Sequence, residues 1–182
     1  MTKLELEITL KDDLNRFGGK RPGIKDRILH NEVWYIYEYI RHLRKVEYHG
    51  SKGGWHKMSF LYHWYRYKHL GFKLHMTIYP NTCGAGLRVY HAGGFVHVGK
   101  QCKIGKSCTL LPGVVFGNKH EKEDISAKIT VGNNCYFGLN AAIFGPVIIG
   151  NNVTVGANTV ITKDIPDNAI VGGVNKILGY KK

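Results

Sequence analysis

From Val98 to Ile161 a bulky aliphatic or aromatic residue returns at every sixth position, and a small one follows it four places later. Val98, Ile104, Leu110 and Phe116 make one run, and Val131, Phe137, Ile143, Ile149, Val155 and Ile161 make a second in the same step. Cys102, Cys108, Val114, Cys135, Ala141, Val147, Val153 and Thr159 take the small site. An α-helix repeats near 3.6 residues and a lone strand at two. A period of six therefore asks for a coil with short, equal sides, the hexapeptide repeat of a parallel β-helix. Residues eighteen apart then lie above one another at strand spacing, roughly 4.8 Å, and their inward column is the core.

Interruptions of the repeat mark where chemistry can sit, because a regular coil has flat sides and little concavity. Two glycines follow closely on a histidine in Tyr90-His91-Ala92-Gly93-Gly94. The interval from Phe116 to Val131 is fifteen residues and holds the polar run Asn118 to Lys128, read as a loop thrown out of a corner that carries His120. The repeat ends at Asp164-Ile165-Pro166, and the tail from Ile170 is expected to cap the coil or cross to another subunit, since a terminal coil leaves its strand edge unpaired.

Before the coil the texture is helical. Residues 1–77 are read as a helical region and 78–182 as the β-helix with a C-terminal cap, the change falling at Ile78-Tyr79-Pro80. Met1 to Lys11 alternates weakly and suggests a short strand or extended arm. Asn31 is the expected N-cap of a helix running to about Val46, and Met58, Leu61, Tyr62 and Tyr65 open a second, with Gly71 as its expected terminator. These aromatic helices are expected to cover the open end of the coil or a neighbouring subunit. The sharper reading sets their rings and cations, Arg41, Arg44, Lys45, Lys57, Arg66 and Lys68, at a membrane face or a lipid-linked substrate.

The chain carries 26 Lys and Arg against 13 Asp and Glu, sixteen against eight before His91 and ten against five after it. Both halves are basic, which suits phosphate-bearing partners. Nucleic acid is not expected among them, because no recognised module accompanies the charge. No apolar run is long enough to cross a bilayer and the first residues lack the form of a secretory signal, so a cytoplasmic protein is expected, with the inner membrane face as a further station. Cys102, Cys108 and Cys135 fall on inward positions and Cys83 at the mouth of the coil; all four are read as buried thiols rather than disulfide or metal ligands.

The segments Gly86-Leu87-Arg88-Val89-Tyr90-His91-Ala92-Gly93-Gly94, Pro112-Gly113-Val114-Val115-Phe116-Gly117, Gly138-Leu139-Asn140-Ala141-Ala142-Ile143 and Val155-Gly156-Ala157-Asn158-Thr159-Val160-Ile161-Thr162-Lys163 resemble, in order and spacing, the hexapeptide-repeat acyltransferases. Within that family the chain is most similar to the serine acetyltransferase branch and its relatives in polysaccharide gene clusters. The resemblance implies a mainly β chain with a left-handed parallel β-helix, a homotrimer, acetyl-CoA as donor, no metal, and sites shared between adjacent subunits. It also implies His91 as general base, His120 as helper or substitute, and Leu139, Ala157, Thr162 and Lys163 along the CoA groove. Gly138, Ala141 and Gly156 would admit the pantetheine arm close to the backbone.

Two departures bear on the acceptor. Serine acetyltransferases place an Asp directly before the catalytic His, where this chain has Tyr90, and a second histidine segment after the loop, where it reads Asp124-Ile125-Ser126-Ala127. Acetyl transfer to a hydroxyl of a sugar or polysaccharide precursor is therefore the expected reaction. Serine O-acetylation is the nearest alternative, and a non-catalytic binding or assembly coil is the alternative of another class.

Overall fold

The computed structural model describes residues 1–119 and 128–181. Four helices lead, α1 (Lys3–Asn15), α2 (Ile24–Ile28), α3 (Glu32–His49) and α4 (His56–Leu74). Among the described residues short strands follow in chain order: β1 (Met76–Ile78), β2 (Arg88–Val89), β3 (Val96–Val98), β4 (Cys102–Ile104), β5 (Thr109–Leu110), β6 (Val115–Asn118), β7 (Ile129–Val131), β8 (Tyr136–Phe137), β9 (Ala142–Gly145), β10 (Val147–Ile149), β11 (Thr154–Val155), β12 (Val160–Ile161), β13 (Ala169–Gly172) and β14 (Lys176–Tyr180).

The strands stack into three faces, ordered β1-β3-β6-β9-β12, β10-β7-β4 and β14-β13-β11-β8-β5-β2. Pairing is parallel except for β13 with β14. His97 lies over Val115, Tyr136 over Thr154 and Ala142 over Val160, each eighteen apart as the period requires. Across the interrupted interval the step widens, so that Cys102 pairs with Ile129 and Thr109 with Tyr136. Every bulky position from Val98 to Ile161 is at most 5% exposed, and the small positions are at most 2%. The four cysteines are free and buried. Asn134, Asn140, Asn152 and Asn158 turn the corners at φ of 54–58°, a left-handed conformation that asparagine tolerates because its side chain bonds locally. At the far end the tail folds back as the antiparallel β13-β14 pair, and Asn175 exchanges hydrogen bonds with Thr162 at 2.7 and 2.8 Å.

The N-terminal residues form α1 rather than the strand expected from their alternation. Thr2 and Glu5 close a capping box, and the same leucines that alternate also supply a four-residue step, with Leu6 buried. Asn31 does cap α3, accepting from the Val33 N–H at 3.2 Å. Gly71 does not end its helix. α4 runs on to Leu74, and a Cβ at Gly71 would stand 2.7 Å from the Met76 carbonyl and 3.1 Å from the Tyr39 ring, so the glycine is there for close packing.

The helices cover the open edge of the first coil, and their side chains complete its backbone. The Ile78 N–H donates to the Tyr39 hydroxyl at 2.9 Å, and the Tyr67 hydroxyl donates to the Ile78 carbonyl at 2.7 Å. Glu47 accepts from Asn81 N–H, and Asp13 accepts from the N–H groups of Gly86 and Leu87. Arg44 donates to the carbonyls of Cys83 and Gly84, each at 2.7 Å, and its charge is met by Asp13 at 2.8 Å and Glu47 at 3.2 Å. Buried backbone groups need such partners. Arg44, expected beside a membrane or lipid-linked substrate, is instead 1% exposed and part of this clip.

Candidate active site

His91 follows β2 in the glycine-rich turn and holds a left-handed φ of 55°. Its Nδ1 lies 2.8 Å from Glu32 Oε1, and the other carboxylate oxygen, Oε2, accepts the Ala92 N–H at 2.9 Å. Glu32 occupies the first turn of α3, where the helix macrodipole favours a negative charge. Foremost the Ala92 N–H, and then His91 and the nearby Arg88 charge, hold the Glu32 carboxyl below its usual range against the opposing effect of burial. An ionised carboxylate on Nδ1 fixes the imidazole as the Nδ1–H tautomer and leaves Nε2 as the basic nitrogen. A carboxylate 59 residues upstream of His91 thus meets its ring, where position 90 holds a tyrosine. No spacing in the sequence signals it; the hint was only an acidic residue at a helix start.

Arg88 lies close enough for its charge to act on Glu32. Its guanidinium sits 4.0 Å from the Phe17 ring centroid and 4.5 Å from that of Tyr90, and Nε and Nη1 are buried without a hydrogen-bond partner. The Tyr90 ring is 41% exposed. A shallow depression lined by His30, Glu32, Tyr35, Lys73, Leu74 and Ala92 opens next to the carboxylate.

The corner holding His91 recurs up the coil. Backbone bonds carry it from Tyr90 to Leu110, from Leu111 to Phe137, and from Gly138 to Val155. Leu139 and Ala157 stand at this same corner in later coils, both exposed, and the Asn158 N–H donates to the Leu139 carbonyl at 2.7 Å. Thr162 and Lys163 lie at the next corner, beyond β12. Lys163 is exposed, and Lys119 Nζ donates to the Thr162 carbonyl at 2.7 Å. His120 lies outside the described residues. Ala141, expected to line the pantetheine path, is fully buried in the core and cannot. Gly138 is buried too; a Cβ there would meet the Ala157 nitrogen at 2.8 Å, so its smallness serves coil stacking. Among the described residues no group of three or more His, Cys, Asp or Glu is placed to hold a metal ion.

Residues 128–163 match the family model described as hexapeptide repeat of succinyl-transferase. The chain is also 34% identical over 111 residues to a serine acetyltransferase of Mycobacterium tuberculosis, a match covering 59% of this chain and 47% of that protein. A serine acetyltransferase of Synechococcus elongatus is 32% identical over 100 residues, covering 54% and 40%. In structure, serine acetyltransferase from Brucella abortus in complex with coenzyme A superposes with a TM-score of 0.77 at 21% identity, covering 99% of this chain and 70% of that one. The Neisseria gonorrhoeae serine acetyltransferase gives 0.72 at 22%, covering 99% and 67%. This chain is a hexapeptide-repeat protein of serine acetyltransferase-like fold. Its coil is accordingly the left-handed parallel β-helix, a hand the period by itself did not fix. The hexapeptide-repeat chain spans less than half the length of the curated relatives it matches.

Proposed function

We propose that the chain is an acetyl-CoA-dependent O-acetyltransferase in which His91 is the general base and Glu32 holds it. The observation that carries this reading is the Nδ1 contact at 2.8 Å, reinforced by the Ala92 N–H on the same carboxylate. His91 Nε2 takes the proton of an acceptor hydroxyl as its oxygen forms a bond to the thioester carbonyl carbon. Collapse of the tetrahedral intermediate breaks the carbon–sulfur bond, and the imidazolium proton passes to the leaving thiolate of CoA. Glu32 stays ionised throughout and stabilises the transient imidazolium. For the donor we assign the exposed Leu139 and Ala157 to the apolar arm and Thr162 with Lys163 to the polar end, where an ammonium pairs with phosphate.

These donor residues and His91 do not converge within one chain. Leu139 and Ala157 share the His91 corner but lie in later coils, and Thr162 and Lys163 are on the next corner. That separation supports a homotrimer in which one copy supplies His91 and its neighbour the Thr162–Lys163 corner.

Serine is the acceptor the comparisons favour over the sugar hydroxyl expected from the sequence, since the relatives quoted are serine acetyltransferases. The Glu32 carboxylate also removes one argument against it, because a carboxylate partner for the base is present after all. A sugar acceptor keeps one specific support: the exposed Tyr90 ring beside His91 offers a stacking face where an acidic residue would bind an amine. Following thioester cleavage with serine, nucleotide sugars and lipid-linked glycans separates the two. Serine is expected to turn over fastest, with His91→Ala slower by roughly 10²- to 10⁴-fold. Undiminished activity of His91→Ala on the best acceptor refutes the base assignment, and a preference for glycans replaces serine by the sugar reading.

A further inference from the structure

We propose that the outer face of α4 docks on an anionic lipid surface. At 100° per residue, Met58, Leu61, Tyr62, Tyr65, His69 and Phe72 fall on one stripe of the helix, and all six are exposed. Met58 is 72%, Tyr65 66% and Phe72 85% exposed, so the stripe turns mostly outward, with only the edge of Tyr62 meeting the His42 ring of α3, centroids 5.9 Å apart. Its opposite face, with Tyr67, Leu70 and Leu74, is the one buried against the rest of the protein. The exposed Lys57 and Lys68 border the stripe on one side, and the exposed Lys73 with the half-buried Arg66 borders it on the other. No Asp or Glu occurs anywhere in the helix.

Apolar and aromatic residues between two rows of cations are the layout of a helix that lies in a membrane interface, rings at headgroup depth and ammonium groups at the phosphates. Charge decides against the competing occupant. A second copy laid face to face would set these cations against their own equivalents, and like charges across an interface are costly. An anionic, flat and deformable surface meets both the charge and the convex stripe.

The placement has a consequence for the site. Lys73, at the end of α4, lines the same depression as Glu32 and Ala92, so docking brings the Glu32–His91 turn to the lipid headgroups. The docking rests on α4 alone and holds whether or not the catalytic assignment does.

Cosedimentation of the full chain with vesicles of phosphatidylcholine, with and without about a quarter phosphatidylglycerol, tests it. Binding is expected only to the anionic vesicles and to weaken with salt, with a blue shift of tryptophan emission from Trp55 at the start of the helix. The exposed pair Lys57→Gln/Lys68→Gln is expected to lose roughly twentyfold or more in vesicle affinity, and Tyr65→Asp/Phe72→Asp to abolish binding with the melting temperature kept. His91→Ala is expected to bind as the parent does, which separates docking from catalysis. No binding to anionic vesicles at low salt, equal binding to neutral ones, or binding that survives Tyr65→Asp/Phe72→Asp overturns the proposal. Self-association abolished by that variant, without vesicle binding, assigns the face to a second copy instead.

Discussion

At the scale of single residues, Glu32 and Gly71 each act against what their local sequence suggests. Glu32 looks like an ordinary acidic residue in the first turn of a helix, yet it holds the His91 ring and the Ala92 N–H together. Glu32→Gln keeps the size of the side chain and removes the charge that stabilises an imidazolium. Its expected effect is a loss in kcat on the order of 10- to 1,000-fold, with KM for acetyl-CoA little changed; steady-state kinetics against both substrates checks it. Gly71 lies inside α4, where helix propensity alone predicts that alanine would stabilise by about 1 kcal/mol. The Met76 carbonyl 2.7 Å from the added Cβ reverses the sign, because backbone cannot yield as a side-chain tip can. Gly71→Ala is expected to destabilise by about 1–3 kcal/mol, read from urea unfolding.

At the scale of elements, α3 and α4 meet through histidines. His42 and His63 approach Nδ1 to Nδ1 at 2.8 Å, as do His49 and His56, and the His49 and His63 rings stack at 5.6 Å. Each close contact needs at least one neutral ring, since two imidazolium groups would present proton to proton. Burial pushes His42 from the ordinary 6.5 down to about 3 and His63 down to about 4. The second cause is the neighbouring histidine in each case, His63 for His42 and His49 for His63; Arg41 acts on both, Arg66 and Arg21 on His42, and Lys45 on His63, while Glu38 opposes at His63. Because the folded state binds these protons less readily than the unfolded chain, the associated stability is fully present above 6.5 and is lost as pH falls, down to about 4 for His63 and about 3 for His42. The melting temperature is expected to drop between pH 7 and pH 5, and His63→Gln to flatten that slope. An unchanged slope in the variant would place the acid sensitivity elsewhere.

At the scale of the whole molecule, one clip joins the helical layer to the coil. Asp13 of α1 meets Arg44 of α3 at 2.8 Å, and both reach the backbone of the first coil, Asp13 at Gly86 and Leu87 and Arg44 at Cys83 and Gly84. Asp13→Ala leaves a guanidinium 1% exposed with a partner removed and two N–H groups unbonded. A loss of roughly 3–5 kcal/mol is expected, measurable by chemical denaturation, and Asp13→Asn is expected to lose less because its amide oxygen still accepts.

The coil and its core were legible in the sequence because a hexapeptide period is written locally and repeated: Val98, Phe137 and Ile161 each announce their burial by position alone, and the structure leaves each of them unexposed. His91 could be singled out for the same reason, as a break in that rhythm. What surrounds it could not. Glu32 reaches His91 across 59 residues and Asp13 reaches Leu87 across 74, distances over which no periodicity runs, and Leu4, Leu6, Ile8 and Leu10 fit a strand on paper while Thr2 and Glu5 cap a helix. The sequence alone determined a stacked coil with a buried apolar column, since each six-residue side carries its own inward residue. Only the tertiary structure decided which side chains complete the edge of that coil and which carboxylate faces the histidine, because those depend on where the docked helices place groups that the chain order keeps far apart.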